Sequence, residues 1–182
     1  LISILVCRLL GREEGFKRLS DILAPQLGNV AEIVHLADAG ELTIGTKRNK
    51  LLDMANGEYC CFVDDDDTVA ADYVSSIAEA LKDSPDCAEM RGKIFWFNQW
   101  TEFRHSIRYC GWYANDGIFF RTPNHLNAIR TEICRDVRFP ADKNAGEDVD
   151  FSKRVRRFLK TEGACSKNLY TYVPHLEKGP DA

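Results

Sequence analysis

Four consecutive aspartates, Asp64, Asp65, Asp66 and Asp67, follow an apolar run at residues 59–63. A run this short, rich in aromatic and β-branched residues, reads as a strand buried on both faces. Carboxylates crowded at its end repel one another unless something positive sits among them. Open α/β sheets bind ligands outside the carboxyl ends of their strands. A divalent cation carrying a diphosphate would suit such hard oxygen donors. The competing reading is a solvated acidic loop that caps the next helix through Asp67 or Thr68. A second acidic group, Glu147 and Asp148 after Gly146, heads a cationic helix that runs through Arg157. Its dipole stabilises acids there, and one of them could equally serve as a general base. Lys47 and Arg48 stand near the start of another helical stretch, where cations make sense beside a bound anion; a basic surface helix is the alternative. His175 lies just past the last expected strand, at the surface or closing a metal shell.

Short alternating elements must position these groups. Residues 2–6 read as a strand, and the helix after Gly11-Arg12 turns Phe16, Leu19, Ile22 and Leu23 inward before Pro25. A second strand over residues 30–36 ends at Asp38, which either closes a turn or accepts hydrogen bonds from a base or ribose. Leu51, Leu52, Met54 and Ala55 follow at helical spacing, with Gly57 as the stop. The strand at 59–63 completes a β-α-β-α-β alternation, the pattern of a parallel, nucleotide-binding sheet. A third helix is expected over residues 72–81.

From Glu89 onward the character changes. Residues 93–97 read as a strand, and aromatic residues from Trp96 to Phe120 crowd an antiparallel region with turns at Gly111 and Gly117. Most of these rings are expected in the core, with Trp112 and Tyr113 left as candidate sugar platforms. Asn124, His125, Asn127 and Arg130 sit at irregular spacing, as pocket-lining residues or as a turn into a half-buried strand.

With 182 residues, 45% of them hydrophobic, the chain can bury one core and is expected to form one domain. A net charge of −4 excludes a general attraction to nucleic acid or anionic membrane. The apolar stretches are far too short to span a bilayer, and the opening residues read as a strand and not as a signal peptide. The seven cysteines form no Cys-x-x-Cys pair, so neither zinc nor a disulfide framework is indicated and the cytoplasm is the expected location.

Taken in order, these motifs resemble the family-2-like GT-A glycosyltransferases, which use nucleotide-diphosphate sugars. The resemblance runs from the first strand to His175 and is strongest from Gly45 to Tyr73: Lys47-Arg48-Asn49, Gly57-Glu58-Tyr59, then Phe62-Val63-Asp64-Asp65-Asp66-Asp67. It implies an α/β fold with a Rossmann-like, mostly parallel sheet flanked by helices and a small antiparallel acceptor-side region. Residues 1–88 would form the nucleotide-sugar half and 89–182 the acceptor half. It further implies Asp38, Lys47, Arg48, Asp64 and Asp65 at the nucleotide sugar, and Asp66 with His175 on Mn²⁺ or Mg²⁺. Asp148 would be the catalytic base with Glu147 beside it, and Trp112, Asn124, His125 and Arg130 the acceptor pocket. The implied reaction is metal-dependent, inverting transfer from a UDP-sugar to a hydroxyl of a carbohydrate or other acceptor. A nucleotidyltransferase is the first alternative, although Gly11-Arg12 is a meagre phosphate loop. A non-catalytic nucleotide- or sugar-binding module is the second.

Overall fold

The computed structural model describes residues 1–173, so His175 lies outside the described residues. Its first half alternates strand and helix: β1 (Ile2–Leu9), α1 (Glu13–Leu23), β2 (Ala31–Asp38), α2 (Ile44–Met54), β3 (Tyr59–Phe62), a short β4 (Thr68–Val69) and α3 (Tyr73–Ala80). β1 lies between β2 and β3, parallel to both, with Leu9 level with Asp38 and Leu5 level with Phe62. Side chains on β1 alternate as a sheet covered on both faces requires. Ile2, Ile4 and Val6 pack on α1 and α3 through Leu19, Leu23, Tyr73 and Ile77. Leu5 and Cys7 meet Leu51 and Leu52 of α2 on the other face. All these residues except Ile2 and Cys7 are almost wholly inaccessible to solvent.

The second half adds β5 (Cys87–Ala88), β6 (Met90–Trp96), β7 (Gln99–His105), β8 (Tyr113–Asn115), β9 (Ile118–Arg121), β10 (Ile129–Arg130), α4 (Thr131–Val137), α5 (Glu147–Val155), β11 (Glu162–Gly163) and β12 (Tyr170–Tyr172). β10 joins the first sheet antiparallel to β3, giving the order β11-β5-β10-β3-β1-β2. The other strands build a mixed sheet in the order β4-β12-β6-β7-β9-β8. α4 and α5 cover the α2 face, burying Val137, Phe151 and Val155.

The expected aromatic core is only partly realised. Phe103 is buried, but Phe97 is 86% exposed and Trp96 and Trp100 are each about half exposed. The reason is the β6–β7 hairpin, which turns tightly at Phe97 and Asn98, both at positive φ, and carries these rings past the end of the packed sheet.

Candidate active site

β1 is followed by α1 on one face, whereas β2 is followed by α2 on the other, so a crevice opens at the carboxyl ends of β1, β2 and β3. A cavity of about 530 Å³ occupies it, walled by Arg8 at the end of β1, Arg12 beyond it, Leu42, Lys47 and Arg48, the four aspartates, and Tyr172.

The aspartates divide the work. Asp64 remains about one-third exposed, with the Arg48 guanidinium 3.4 Å from its carboxylate. Asp65 is buried; its carboxylate accepts the Leu9 N–H at 3.2 Å and so ties the acidic loop to the end of β1. Burial raises its pKa and Asp66 adds to this, against the Leu9 hydrogen bond and Arg12. The other Asp65 oxygen stands 3.7 Å from Arg12, on the wall of the same cavity. Asp66 lines the cavity, and the Arg12 guanidinium stands 3.3 Å from its carboxylate. Asp67 accepts the Tyr170 hydroxyl at 2.7 Å and the Val173 N–H at 2.9 Å, anchoring the loop to β12. Neither Asp67 nor Thr68 caps a helix: α3 begins after Asp72 and Thr68 starts β4.

Lys47 and Arg48 also sit differently from their expected place. Thr43 caps α2 by accepting the Thr46 N–H at 3.1 Å, which starts the helix early and puts both cations beyond its first three residues. Gly57 is not the stop; the helix ends at Met54. Lys47 is buried against the Asp38 carboxylate and donates to the Arg8 carbonyl at 2.8 Å. Asp38 also accepts the Leu42 N–H at 2.8 Å, closing the turn after β2. Burial, the largest influence, would raise its carboxyl, but Lys47 and the Leu42 N–H hold it below its ordinary value. Arg48 is buried between Asp64 and Glu147, each 3.4 Å away, with Phe62 and Phe139 under its guanidinium. Burial pulls its pKa down, yet Asp64 and Glu147 among its neighbours keep it above the ordinary value.

The loop that delivers Glu147 and Asp148 is pinned to the start of α2. Gly45 donates its N–H to the Lys143 carbonyl at 3.1 Å, and Ile44 donates to the Asn144 side chain at 3.0 Å. The hydroxyls of Thr43 and Thr46 both reach the Ala141 carbonyl. Asn49 exchanges two hydrogen bonds with the Phe139 backbone. Gly146, at φ +73°, turns the chain into α5.

His125 stands between this helix and the acidic loop. Its Nε2 stands 3.9 Å from an Asp64 oxygen and its Nδ1 3.9 Å from an Asp148 oxygen, with the ring almost fully buried. Asn124 and Asn127 build the turn that presents it: the Asn124 side chain accepts the Leu126 N–H, and Asn127 accepts the Asn124 N–H. Both amides are buried, which makes Asn124 part of the scaffold and not of an open pocket. Trp112 is half-buried and donates from its indole to the Ser152 hydroxyl of α5 at 3.3 Å. Arg130 is not brought to the site. Because β10 runs antiparallel to β3, His125 lies level with Phe62 while Arg130 pairs with Tyr59, at the opposite end of the sheet. There it binds Glu58 at 2.7 Å.

Arg8, Arg12 and Tyr172 line the cavity and were not singled out by sequence. Their signal was position: Arg8 and Gly11-Arg12 close the first strand at its carboxyl end, and Tyr172 stands two residues from the Tyr170 that holds Asp67. Among the described residues no group of three or more His, Cys, Asp or Glu side chains is arranged to hold a metal ion. No helix there is long and apolar enough to cross a membrane.

The fold is shared with solved structures of S. aureus TarS. TarS 1–349 superposes with a TM-score of 0.72 at 16% identity, covering 94% of this chain and 60% of that one. Its complex with UDP-GlcNAc gives 0.70 at 16% identity, covering 98% and 61%. Its complex with UDP gives 0.72 at 17% identity, covering 97% and 61%. The present chain therefore spans less than two thirds of the length of these structures, and the likeness is one of fold. Among curated proteins no match is found. A profile of Glycosyl transferase family 2 matches residues 32–145, well over half of the chain, from β2 through the acidic loop to the loop before α5. The chain belongs to glycosyl transferase family 2.

Proposed function

We propose that this chain is the catalytic domain of a glycosyltransferase that moves a sugar from a UDP-sugar to an acceptor hydroxyl with inversion. The observation that carries transfer, and not binding alone, is the placement of Asp64 and Asp148 on either side of His125. Asp64 on the donor cavity and Asp148 on α5 each face one nitrogen of the same buried ring. A carboxylate so close to the donor pocket can take the proton of an acceptor hydroxyl as that oxygen attacks the anomeric carbon from the side opposite the diphosphate. Glu147 would act through Arg48, holding α5 at the distance from Asp64 that this attack needs. The first sheet would then supply the donor half of the site, and α5 with the second sheet the acceptor half.

A divalent cation would share the donor pocket with a diphosphate. Asp64 and Asp66 offer hard oxygen donors on the cavity wall, and Mg²⁺ or Mn²⁺ commonly completes its shell with phosphate and water oxygens. These two carboxylates would hold it, and when bound it would stabilise negative charge on the departing diphosphate. Arg8 and Arg12, which line the same cavity, would add positive charge to the same group. Asp38 and Lys47, locked together beneath the pocket, would shape the base site.

Thermal stabilisation by UDP, UDP-sugars and other nucleotides, each with and without Mn²⁺, tests the donor class, since a ligand of the folded state raises the midpoint. A UDP-selective, Mn²⁺-enhanced shift that Asp66→Ala abolishes is expected; an unaltered shift in that variant removes Asp66 from the site. Asp148→Asn should lower transfer by roughly a hundredfold or more while UDP still binds. Release of pyrophosphate in place of UDP would point to a nucleotidyltransferase instead.

A further inference from the structure

The acceptor side holds a cation that the proposed transfer does not use. Arg121 ends β9, and its guanidinium lies over the Trp112 ring at 4.5 Å, with Phe119 at 6.0 Å. Among the described residues it makes no ion pair with a carboxylate and no side-chain hydrogen bond, unlike Arg12, Lys47 and Arg48 across the cleft. The group is therefore held against the indole, while its N–H donors are left to bind something anionic.

Its position relative to the proposed base is fixed from two directions. Trp112 donates to Ser152, and the Thr122 hydroxyl, next to Arg121 in the chain, meets the same Ser152 oxygen at 2.6 Å. Ser152 is four residues after Asp148 on α5, so the two share a face about 5–6 Å apart. The pKa of the Tyr172 phenol, raised mainly by burial and by Asp64, is also lowered by Arg121 and raised by Asp148. An acceptor whose hydroxyl meets Asp148 would bring groups a few bonds away to Arg121. A cation with no carboxylate partner among the described residues favours an anionic group there.

We propose that Arg121, laid on Trp112 one helical turn from Asp148, binds an anionic group of the acceptor, a phosphate or a carboxylate close to the reacting hydroxyl. The acceptor class is thus one that carries an acid group and not a neutral glycan. This rests on the sugar-transfer reading for the identity of the cleft as the acceptor site, but not for the anion site itself.

The test is calorimetric titration with three matched small probes, glycerol, glycerol 3-phosphate and glycerate, into protein saturated with UDP and Mn²⁺, so that the donor pocket is filled. At least one charged probe should bind about tenfold or more tighter than glycerol, as one charge-assisted fork would give. Phosphate over glycerate, or the reverse, names the group. Arg121→Gln should abolish the preference at unchanged UDP affinity, and Arg121→Lys should keep only part of it. Equal binding of charged and neutral probes by the wild type overturns the proposal, as does a preference that survives in Arg121→Gln. Failure of UDP to bind would count against sugar transfer instead, and the same titrations without UDP, compared between wild type and Arg121→Gln, would still decide for or against the anion site.

Discussion

Gly45 offers the sharpest check on how the site is assembled. A Cβ built on it would lie 1.9 Å from the Pro140 carbonyl oxygen and 2.9 Å from its carbon, both backbone atoms. An Ala there forces the loop before α5 away from α2 by more than an ångström, since contacts under 3.0 Å are essentially never seen. Such an opening stretches the bonds from Gly45 to Lys143, from Ile44 to Asn144 and from Thr46 to Ala141, now 3.1, 3.0 and 2.9 Å, past useful length. At about 1 kcal/mol each, with partial relaxation, Gly45→Ala should cost about 2–4 kcal/mol. For a chain of this size that lowers the melting midpoint by roughly 4–16 °C. The loop leads into α5, whose first turn carries Asp148, and a displacement of about 1 Å at a reacting group costs on the order of a hundredfold in rate. Urea unfolding monitored by fluorescence measures the first effect and UDP release with acceptor the second. Gly111→Ala, with open space around it, is the control and should change stability by less than about 0.5 kcal/mol. A Gly45→Ala protein that unfolds and turns over like the wild type would refute the idea that this close approach sets the position of α5.

Other expectations follow from the same geometry. Arg48→Met leaves Asp64 and Glu147 without their shared buried cation and should destabilise by about 3–5 kcal/mol, with Arg48→Lys recovering part; urea titrations that place Arg48→Met within 1 kcal/mol of wild type would contradict the pairing. Asp38 has a carboxyl held below its ordinary 3.8, so its stabilising pairing is complete above that pH and is lost as pH falls through the lower, folded value. Asp38→Asn should therefore lower stability at neutral pH and flatten the stability loss below pH 3.8, which acid titration of the unfolding midpoint measures. Burial pushes the Cys7 and Cys61 thiols up to about 12, and of the seven cysteines Cys110 alone is exposed. Brief maleimide treatment followed by mass spectrometry should give one adduct on the native protein and seven in denaturant; rapid native labelling of Cys7 would mean the pocket floor is open.

How much of this was legible in sequence depends on how far each feature reaches along the chain. The strand-helix alternation and the acidic loop were readable because hydrophobic period and a sudden charge change are local signals. The division of labour among the aspartates was not. Asp67 is fixed by Tyr170 and Val173, more than a hundred residues away, and Asp65 by the backbone of Leu9. Lys47 and Arg48 were recognised as chemically loaded but misplaced at the helix start, because the Thr43 cap that begins α2 went unread. The stretch from Asn124 to Arg130 is the clearest case. Its polar residues look equivalent in sequence, yet it runs down the side of β3 from Phe62 to Tyr59. One end therefore delivers His125 to the two carboxylates and the other carries Arg130 away to Glu58. Strand direction alone decides which of them can touch the chemistry, and a two-residue strand leaves no periodicity from which to read it.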